Sequence, residues 1–527
     1  MDFNSLLSTL SRSSAQAVST LSKASGEIEE FKSYLYVETE IERKLIETLE
    51  SNVDAKKIIF LCGSSGDGKS ELLRRNYANY SSSYKFHLDA THSFKPDQSA
   101  IEALDELFDH YQLAGMPLIV GINIGMMFNY YNSGAERHNG VKDAIGQFIA
   151  GQREVGQYSF LSFEDYPKFS LKEGEVGSSF VKQLFSKVTS ASMDNPLYRA
   201  YLNDVDKHHK LIFQNYRILQ EESVQELVIK LLLHARLKFD QFFSSRSLLD
   251  FIYHLIAGGS SIFDNFFASK TSGLASTFTS FDPCLTRSKR VDEFVVQQSL
   301  KVEDVHFEAF KIAFIERYQT GFEVYSASTW VRAFYLLGDV DIGNNYHHGF
   351  AQDFSQPIFD EYIRVWQLHN SNADPKVLRE FYDKTLIASL IKFANRLVPK
   401  TVTNGIYIGE RNGVFLSADV KIRLDTKRVA SANDGRIHFF NATVKVDDKT
   451  IQAFPVNISF LELAERILGG YRPNRHDKNS VVILEEVLEE IVSISGQTDT
   501  LHFHIINNSA HWSLTQEEDE YIVEALH

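Results

Sequence analysis

Cysteine is scarce in this chain of 527 residues, so neither a disulfide framework nor a zinc site is indicated. The two cysteines, Cys62 and Cys284, lie far apart in the sequence, and no Cys-x-x-Cys motif occurs. Small secreted domains with disulfide frameworks show many closely spaced cysteines, and structural zinc sites show paired ones. The composition therefore fits a protein that works in a reducing compartment.

Long apolar runs are also missing. No stretch approaches 18 uninterrupted apolar residues, and the start of the sequence, MDFNSLLSTLSRSSAQ, lacks a basic region followed by an apolar segment. We therefore expect a cytoplasmic protein that does not enter a membrane. With 43% hydrophobic residues and only ten prolines, the composition is that of a folded protein, and roughly 100–200 residues per domain gives three to four domains.

Basic residues are absent from one end of the sequence. The net charge is −15, which argues against a protein that coats nucleic acid over its whole surface. From Ser480 to His527 there is no Lys or Arg, and this stretch contributes −10 of the total. Its acids are Glu485, Glu486, Glu489, Glu490, Asp499, Glu517, Glu518, Asp519, Glu520 and Glu524. We hypothesise that this acidic end docks a basic partner protein, the alternative being a solvated acidic helix over 481–492.

The pattern of apolar residues divides the chain into four ranges. Residues 1–50 predict a helical lead-in. In 51–175, apolar runs at 58–62, 84–89, 117–125 and 158–163 alternate with helical patterns, which predicts a mostly parallel sheet with helices on both faces. A further strand is possible at 34–39. Residues 176–400 predict a helical lid and a helical domain.

The last range, 401–527, predicts a β-rich α+β domain. Alternating segments are broken by Asn-Gly and Asp-Gly turns up to about residue 460. Two helical patterns follow at 459–468 and 481–492, then one strand pattern at 501–506 and an acidic tail. His502 and His504 share one face of that strand, but no third metal ligand is evident in the sequence.

The most informative motif is a phosphate-binding loop. Gly63, Gly68, Lys69 and Ser70 match GxxxxGK[ST], directly after a buried strand and directly before a helix. Glycines allow backbone N–H groups to turn toward phosphate oxygens, and the helix N-terminus faces the anion. We therefore predict an α/β P-loop NTPase domain that binds ATP and Mg²⁺. The predicted nucleotide-binding residues are Gly63, Ser64, Ser65, Gly66, Asp67, Gly68, Lys69, Ser70, Glu71 and Arg246.

Catalytic roles follow from the chemistry of phosphoryl transfer. Lys69 would reach the β- and γ-phosphates, while the Ser70 hydroxyl and an acid at the end of a neighbouring strand would hold Mg²⁺. Asp89 is the predicted acid. The rival pair, Asp105 and Glu106, lies in a segment with helical spacing of apolar residues.

Three assignments stay open at this point. Asp89 is followed by Ala90, so the residue that activates water is Glu71, Glu106 or Glu164. Asn123 either orients water beside the γ-phosphate or forms a turn before a glycine. Arg246 either is a lid arginine of the kind found in AAA+ ATPases or is solvated at a helix start. Arg217 and Arg332 are weaker candidates for the lid arginine.

Around the loop, the sequence KKIIFLCGSSGDGKSELL is followed by HLDATHSFKPDQSAIEALDELFD and PLIVGINIGMM. These segments resemble the F component of the DNA phosphorothioation-dependent restriction system, a bacterial defence family that acts with G and H components. The likeness is densest over residues 30–170 and looser at 215–220 and 234–243. The loop alone is common to all P-loop ATPases, whereas the run after it is more specific.

The resemblance implies an ATPase subunit of a complex that distinguishes phosphorothioate-modified self DNA from unmodified invading DNA. Its expected partners are the G and H components, with DNA reached through the complex, no membrane, and an oligomer possible. The sequence shows no nuclease motif. An alternative to the ATPase is an assembly switch or scaffold that binds ATP with little hydrolysis, which the residue after Asp89 favours.

Overall fold

The computed structural model describes residues 2–11, 26–51, 56–90, 97–114, 116–204, 210–269, 274–319, 325–371, 375–398, 405–496, 498, 500–505, 510–517 and 520–526. The chain forms two compact units, each built from separate stretches of sequence. Unit 1 comprises Met1–Phe169, Gly177–Leu232 and Phe242–Phe354. Unit 2 comprises Ser170–Val176, Leu233–Gln241 and Ser355–His527. The four ranges predicted above follow changes of element type along the sequence, whereas these units are defined by packing.

The N-terminal part of unit 1 alternates helices and strands. Its elements are α1 (Phe3–Ser8), α2 (Glu27–Tyr34), α3 (Glu40–Ser51), β1 (Ile58–Gly63), α4 (Lys69–Tyr80), β2 (Lys85–His87), α5 (Ala100–Ala114), β3 (Leu118–Asn123), α6 (Ile124–Ser133), α7 (Asn139–Ile149), β4 (Glu154–Val155) and β5 (Tyr158–Ser162). Residues 12–25 of the predicted lead-in lie outside the described residues.

The strands form a mixed, mainly parallel sheet in the order β2-β3-β1-β5-β4. β2, β3, β1 and β5 are parallel, and β4 is antiparallel at the edge. All four predicted strands of this region are confirmed. The possible strand at 34–39 is wrong, because Tyr34 ends α2 and the following residues only connect it to α3, with the Tyr36 hydroxyl donating to Glu42 at 2.5 Å.

Helices cover both faces of this sheet, as the sequence predicts. Alternate residues of β1 point to opposite faces, so Phe60 packs with α5, α6 and α7, while Leu61 packs with α3 and α4. Both side chains are fully buried. A sheet with two buried faces needs near-continuous apolar strands, which is why IIFLC reads as an unbroken apolar run.

The rest of unit 1 is helical. Its helices are α8 (Ser179–Thr189), α9 (Pro196–Asp204), α10 (Lys210–Leu219), α11 (Glu222–Phe239, to Leu232 in this unit), α12 (Ser245–Ala257), α13 (Ile262–Phe267), α14 (Lys289–Ser299), α15 (Val305–Tyr318) and α16 (Ala327–Leu336). An aromatic core holds α15 and α16 together. Phe307 and Phe310 of α15 pack edge-on against Trp330 of α16 at ring-centroid distances of 5.4 and 6.0 Å.

Unit 2 combines helices with short strands. Its elements are α17 (Pro357–Asn370), α18 (Pro375–Phe381), α19 (Ala388–Ala394), β6 (Ile406–Arg411), β7 (Val414–Ala418), β8 (Ile422–Leu424), α20 (Val429–Ala432), β9 (Phe440–Ala442), β10 (Val444–Val446), β11 (Lys449–Thr450), β12 (Phe454–Val456), α21 (Ile458–Leu468), α22 (Lys478–Ser495), β13 (Thr500–Ile505), β14 (Ala510–Glu517) and β15 (Glu520–Leu526). A π-helical turn, Tyr382–Ile387, joins α18 to α19.

The strands of unit 2 are antiparallel, which confirms the predicted β-rich C-terminal region. The largest sheet has the order β15-β14-β13-β7-β6, and two smaller sheets pair β11-β10-β8 and β12-β9. The sequence prediction of a tail after residue 506 is wrong. β14 and β15 form there because their residues pair in continuous register, from His511 with Leu526 to Glu517 with Glu520.

The acidic helix α22 is a core element of unit 2. Its apolar stripe is buried, with Leu484, Val487, Leu488 and Ile491 each less than a tenth exposed. Glu490 accepts the Gln452 backbone N–H at 3.0 Å, and Glu485 lies 3.8 Å from Arg396. The apolar face of this helix is therefore already used within the chain. Among the helices described, none is both long and apolar enough to cross a membrane.

Candidate functional site

The loop between β1 and α4 adopts a conformation that only glycine tolerates easily. Gly66 and Gly68 have φ values of +85° and +104°, in the left-handed region. A Cβ atom at Gly66 would lie 3.0 Å from the Ser244 hydroxyl, whereas one at Gly68 would meet no atom within 4 Å. The space beside Gly68, at the start of α4, is therefore open.

Backbone N–H groups line this open side of the loop. Within the part of the chain that the structure describes, the N–H groups of Ser65, Gly66, Gly68, Lys69 and Ser70 have no hydrogen-bond partner. The Ser64 N–H differs, because it donates to Asp67 Oδ2 at 2.7 Å. Successive unpaired amides at a helix N-terminus form a site that is suited to an anion.

Lys69 lies folded into the loop. Its ammonium donates to the carbonyl oxygens of Gly63 and Ser64 at 3.1 and 2.8 Å. Burial lowers the pKa of Lys69, and the nearby Asp67 and Asp89 carboxylates oppose this shift. The site thus holds a partly buried cation beside the unpaired amides.

Ser70, one of the predicted magnesium ligands, contacts the backbone next to Asp89, the other, at the carboxyl edge of the sheet. The Ser70 hydroxyl donates to the Leu88 carbonyl at 3.4 Å, one residue before Asp89. Gly121 of β3 permits this approach, since a Cβ there would lie 2.5 Å from the same carbonyl oxygen. No cluster of three or more His, Cys, Asp or Glu side chains able to hold a metal occurs among the described residues. Magnesium needs only one or two protein ligands beside phosphates and water.

The rival acids have structural roles on α5. Asp105 accepts the Tyr130 hydroxyl at 2.7 Å and the Ala135 N–H at 3.1 Å, which fixes the end of α6. Glu106 accepts the Gln98 side-chain amide at 2.8 Å. The helical position predicted for this pair is confirmed.

Asn123 ends β3 directly beside the loop, where it pairs in register with Gly63. Its side-chain oxygen accepts the Met126 N–H at 2.6 Å and caps α6. The sequence left open whether Asn123 orients water or forms a turn. The observed side chain has the turn-forming role, because its oxygen bonds to the backbone three residues further on. Its position at the carboxyl edge also keeps it within the candidate site.

The three candidate glutamates differ in their surroundings. The Glu71 carboxylate is held by Arg74 at 2.8 and 3.1 Å, and Glu106 lies on α5. Glu164 lies two residues after the end of β5, the strand next to β1, and is exposed. Its carboxylate makes no hydrogen bond within the described ranges. Glu164 is therefore the candidate that is both close to the loop strand and available.

The start of α12 touches the loop. The Arg246 backbone N–H donates to the Gly66 carbonyl at 3.4 Å, and the Ser245 hydroxyl donates to the Asp67 carbonyl at 3.5 Å. The Arg246 guanidinium donates to the Ser11 carbonyl and is half-buried rather than solvated. The start of α12 therefore lies against the loop, as the sequence predicts for the helix that carries Arg246. The contact is made by the backbone of Arg246 and not by its guanidinium.

The two weaker arginine candidates have partners elsewhere in unit 1. Arg332 binds Asp264 at 2.7 Å and Asp282 at 2.6 Å. Arg217 donates to the Tyr201 hydroxyl at 2.5 Å and the Tyr318 carbonyl at 3.4 Å.

Sequence reasoning missed a buried ion pair on the loop. Lys168 lies 3.2 Å from Asp67 Oδ1, with side-chain exposures of 15% and 2%. The ammonium also lies 5.9 and 5.7 Å from the ring centroids of Phe180 and Phe242. Asp67 is thereby held by Lys168 on one oxygen and by the Ser64 N–H on the other. The two residues are 101 positions apart, and no motif spacing connects them.

A third histidine joins the pair noted on β13. His511 of β14 lies opposite His504, and its Nε2 atom is 3.2 Å from His502 Nδ1. The His504 Nε2 atom is 3.0 Å from the Ser417 hydroxyl. Burial and the neighbouring imidazoles lower the pKa of His504 to about 4.

Comparison with known proteins gives no relative from which to assign a function. No protein-family model matches the chain, and no curated protein matches it well enough to count as related.

Proposed function

We propose that the chain binds ATP with Mg²⁺ at the loop between β1 and α4 and hydrolyses it. The observation that carries this proposal is the row of five unpaired N–H groups around Lys69, at the end of a buried parallel strand. Triphosphates are bound in this way because backbone N–H groups and a helix N-terminus stabilise negative charge.

The neighbouring residues supply the further groups that phosphoryl transfer needs. Ser70 and Asp89 would hold Mg²⁺, which supplies charge neutralisation for the phosphates when bound. Lys69 would contact the β- and γ-phosphates, since its ammonium bonds to two loop carbonyls and to no other group among the described residues. Asn123 ends β3 and Glu164 lies two residues after the end of β5, and these strands flank β1. Asn123 would orient water and Glu164 would activate it.

The resemblance supports a more specific biological role. It implies that this ATPase acts in a bacterial DNA restriction complex linked to phosphorothioation, with G and H components as partners. In this role the start of α12 would report the state of the loop, because its backbone already bonds to Gly66. Hydrolysis would then be coupled to movement of the helical part of unit 1 or to engagement of DNA through the complex.

A second candidate is an assembly switch that binds ATP with little hydrolysis. It is favoured by the buried Ala90 directly after Asp89 and by the engagement of Glu71 with Arg74. Complex assembly and restriction should be measured with ATP and with a non-hydrolysable analogue. Equal activity with both nucleotides favours the switch, and activity with ATP alone favours the ATPase.

The direct test is Lys69→Ala, with Lys85→Ala as the control, since Lys85 is an exposed lysine at the other end of the same sheet. Removing the loop cation should weaken ATP binding by at least about tenfold and abolish phosphate release, because an ammonium–phosphate interaction is charge-assisted. Binding is measured by calorimetry and turnover by released phosphate. Unchanged affinity and turnover in Lys69→Ala would contradict the proposal.

A further inference from the structure

β15 is the outermost strand of the large antiparallel sheet in unit 2. It pairs with β14 in continuous register on one side, and the strand order places no strand of the described residues on its other side. All seven residues from Glu520 to Leu526 are exposed. Its outer row of N–H and C=O groups is therefore available for pairing with another strand.

The strand lacks the features that usually protect such an edge. Natural edge strands carry lysine, proline or a bulge, or are very short, which prevents pairing with other chains. The sequence EYIVEAL has neither lysine nor proline, and its pairing with β14 shows no register shift. β15 therefore offers a regular edge of seven residues.

The two faces of β15 differ in chemistry. Tyr521 and Val523 share one face and are 68% and 62% exposed. Trp512 of β14, which is 41% exposed, lies on the same face and is the diagonal neighbour of Val523. Glu520 and Glu524 are on the opposite face, where they alternate with the exposed Ile522 and Leu526, because side chains alternate along a strand. A strand added to this edge would thus meet apolar groups alone on one face, and two carboxylates interspersed with apolar side chains on the other.

The two carboxylates of β15 are not neutralised by any residue that the structure describes. Neither Glu520 nor Glu524 has an ion-pair partner in the described part of the structure. From Ser480 onward the sequence contains no Lys or Arg, so the surrounding strands β13 and β14 supply none. A second copy of the same acidic edge would add repulsion, and so would nucleic acid, whereas a basic polypeptide would supply the missing cations.

We propose that β15 is a docking edge for a basic β-strand of a partner protein. In that strand, Lys or Arg alternates with apolar residues, so that the cations face Glu520 and Glu524 and the apolar side chains face Tyr521 and Val523. Backbone pairing supplies the affinity and the alternation supplies the specificity. The docking element of the acidic end is then the strand β15. This proposal does not depend on the nucleotide site.

The test uses the full chain and a synthetic nine-residue peptide in which lysine alternates with valine and threonine. Two control peptides separate the contributions. One carries glutamate in place of lysine, and the other keeps the lysines but has alternate backbone amides N-methylated. Binding is measured by fluorescence anisotropy at low and moderate salt. We expect the lysine peptide to bind and both controls to bind at least about tenfold more weakly, because each removes one part of the recognition.

Charge reversal on the protein provides the matched comparison. Glu524→Lys should weaken the binding of the lysine peptide by about tenfold. Glu486→Lys, at an exposed position of α22, should change the affinity for the same peptide by less than about twofold. Both variants change the net charge equally, and both residues are exposed. Val523→Thr is a second variant that keeps the charge and should weaken binding through the other face.

Four results would overturn the proposal. Equal binding of the N-methylated peptide would show simple electrostatic adhesion, and equal losses in the two Glu→Lys variants would show that β15 is not the site. Dimerisation of the chain in sedimentation, lost in Val523→Thr, would identify a second copy as the occupant. Absence of binding of the lysine peptide at millimolar concentration would also refute it.

Discussion

Replacement of Lys168 by methionine tests the buried ion pair that holds the loop between β1 and α4. The Lys168 ammonium lies 3.2 Å from Asp67 Oδ1, and the Asp67 side chain is 2% exposed. At an effective dielectric constant of about 20, two unit charges at this distance attract by about 5 kcal/mol. Removal of one partner from a buried pair costs about 3–5 kcal/mol, because the remaining charge stays buried and loses its ion-pair partner.

The lower end of this range applies here, since the Ser64 N–H still donates to Asp67. A loss of about 3 kcal/mol can be converted to a change in thermal midpoint. Unit 1 has roughly 340 residues, and its unfolding entropy is therefore about 0.7 kcal/mol per kelvin. We expect Lys168→Met to lower the thermal midpoint of unit 1 by about 4 °C and to weaken ATP binding, because an uncompensated carboxylate is left in the loop.

Lys182→Met is the matched control. Lys182 lies 3.4 Å from Glu222, a similar distance, but the two side chains are 59% and 77% exposed. Solvent-exposed pairs contribute at most about 1 kcal/mol, so this variant should barely move the midpoint. Scanning calorimetry measures both variants. The double variant Asp67→Asn/Lys168→Met should recover most of the loss, because it removes both charges.

Two outcomes would refute the reasoning. If Lys168→Met lowers the midpoint no more than Lys182→Met, the pair does not stabilise the loop. If the double variant is as unstable as Lys168→Met alone, the loss comes from the packing of the Lys168 side chain beside Phe180 and not from the unpaired carboxylate.

Two further predictions concern hydrolysis and pH. Glu164→Gln should lower the rate of phosphate release by at least about 100-fold with unchanged ATP affinity, as loss of a general base does. The control Glu71→Gln should mainly disturb the hydrogen bonds between Glu71 and Arg74. Equal rates for Glu164→Gln and the unchanged protein would exclude Glu164 as the base. In unit 2, burial lowers the pKa of His369 to about 4, and its ring nitrogens contact the Val365 carbonyl and the Tyr382 hydroxyl at 2.7 and 2.9 Å. Since the unfolded pKa is about 6.5, the stabilisation from the neutral ring is complete above that pH and is lost as the pH falls toward 4, on the order of 3 kcal/mol. Urea unfolding at pH 7 and pH 4.5 measures this loss, which should shrink in His369→Gln; an identical loss in that variant would exclude His369 as its source.

The sequence by itself determined the features that depend on neighbouring residues. The strand β1, the loop and the start of α4 are contiguous, so apolar runs and glycine positions sufficed to predict them. The helical position of Asp105 followed from the spacing of apolar residues on α5 for the same reason. The strands around β1 were predictable because a sheet buried on both faces requires apolar runs.

Tertiary structure decided which distant groups meet at the site. Lys168 reaches Asp67 across 101 positions, and α12 places its backbone against Gly66. Neither approach leaves a periodic pattern, because both depend on how helices pack after the sheet has formed. The same holds for His511, which joins His504 only through the pairing of β13 with β14.

The acidic end of the chain shows both influences together. The charge of this end and its lack of basic residues can be read from the sequence. Helical spacing predicted an acidic helix there, α22, but the apolar stripe of that helix is buried in unit 2. The open edge belongs instead to β15, within a stretch that predicted only a tail. Whether a strand lies at the edge or in the middle of a sheet depends on the order of strands, and that order is set by pairing between segments far apart in sequence.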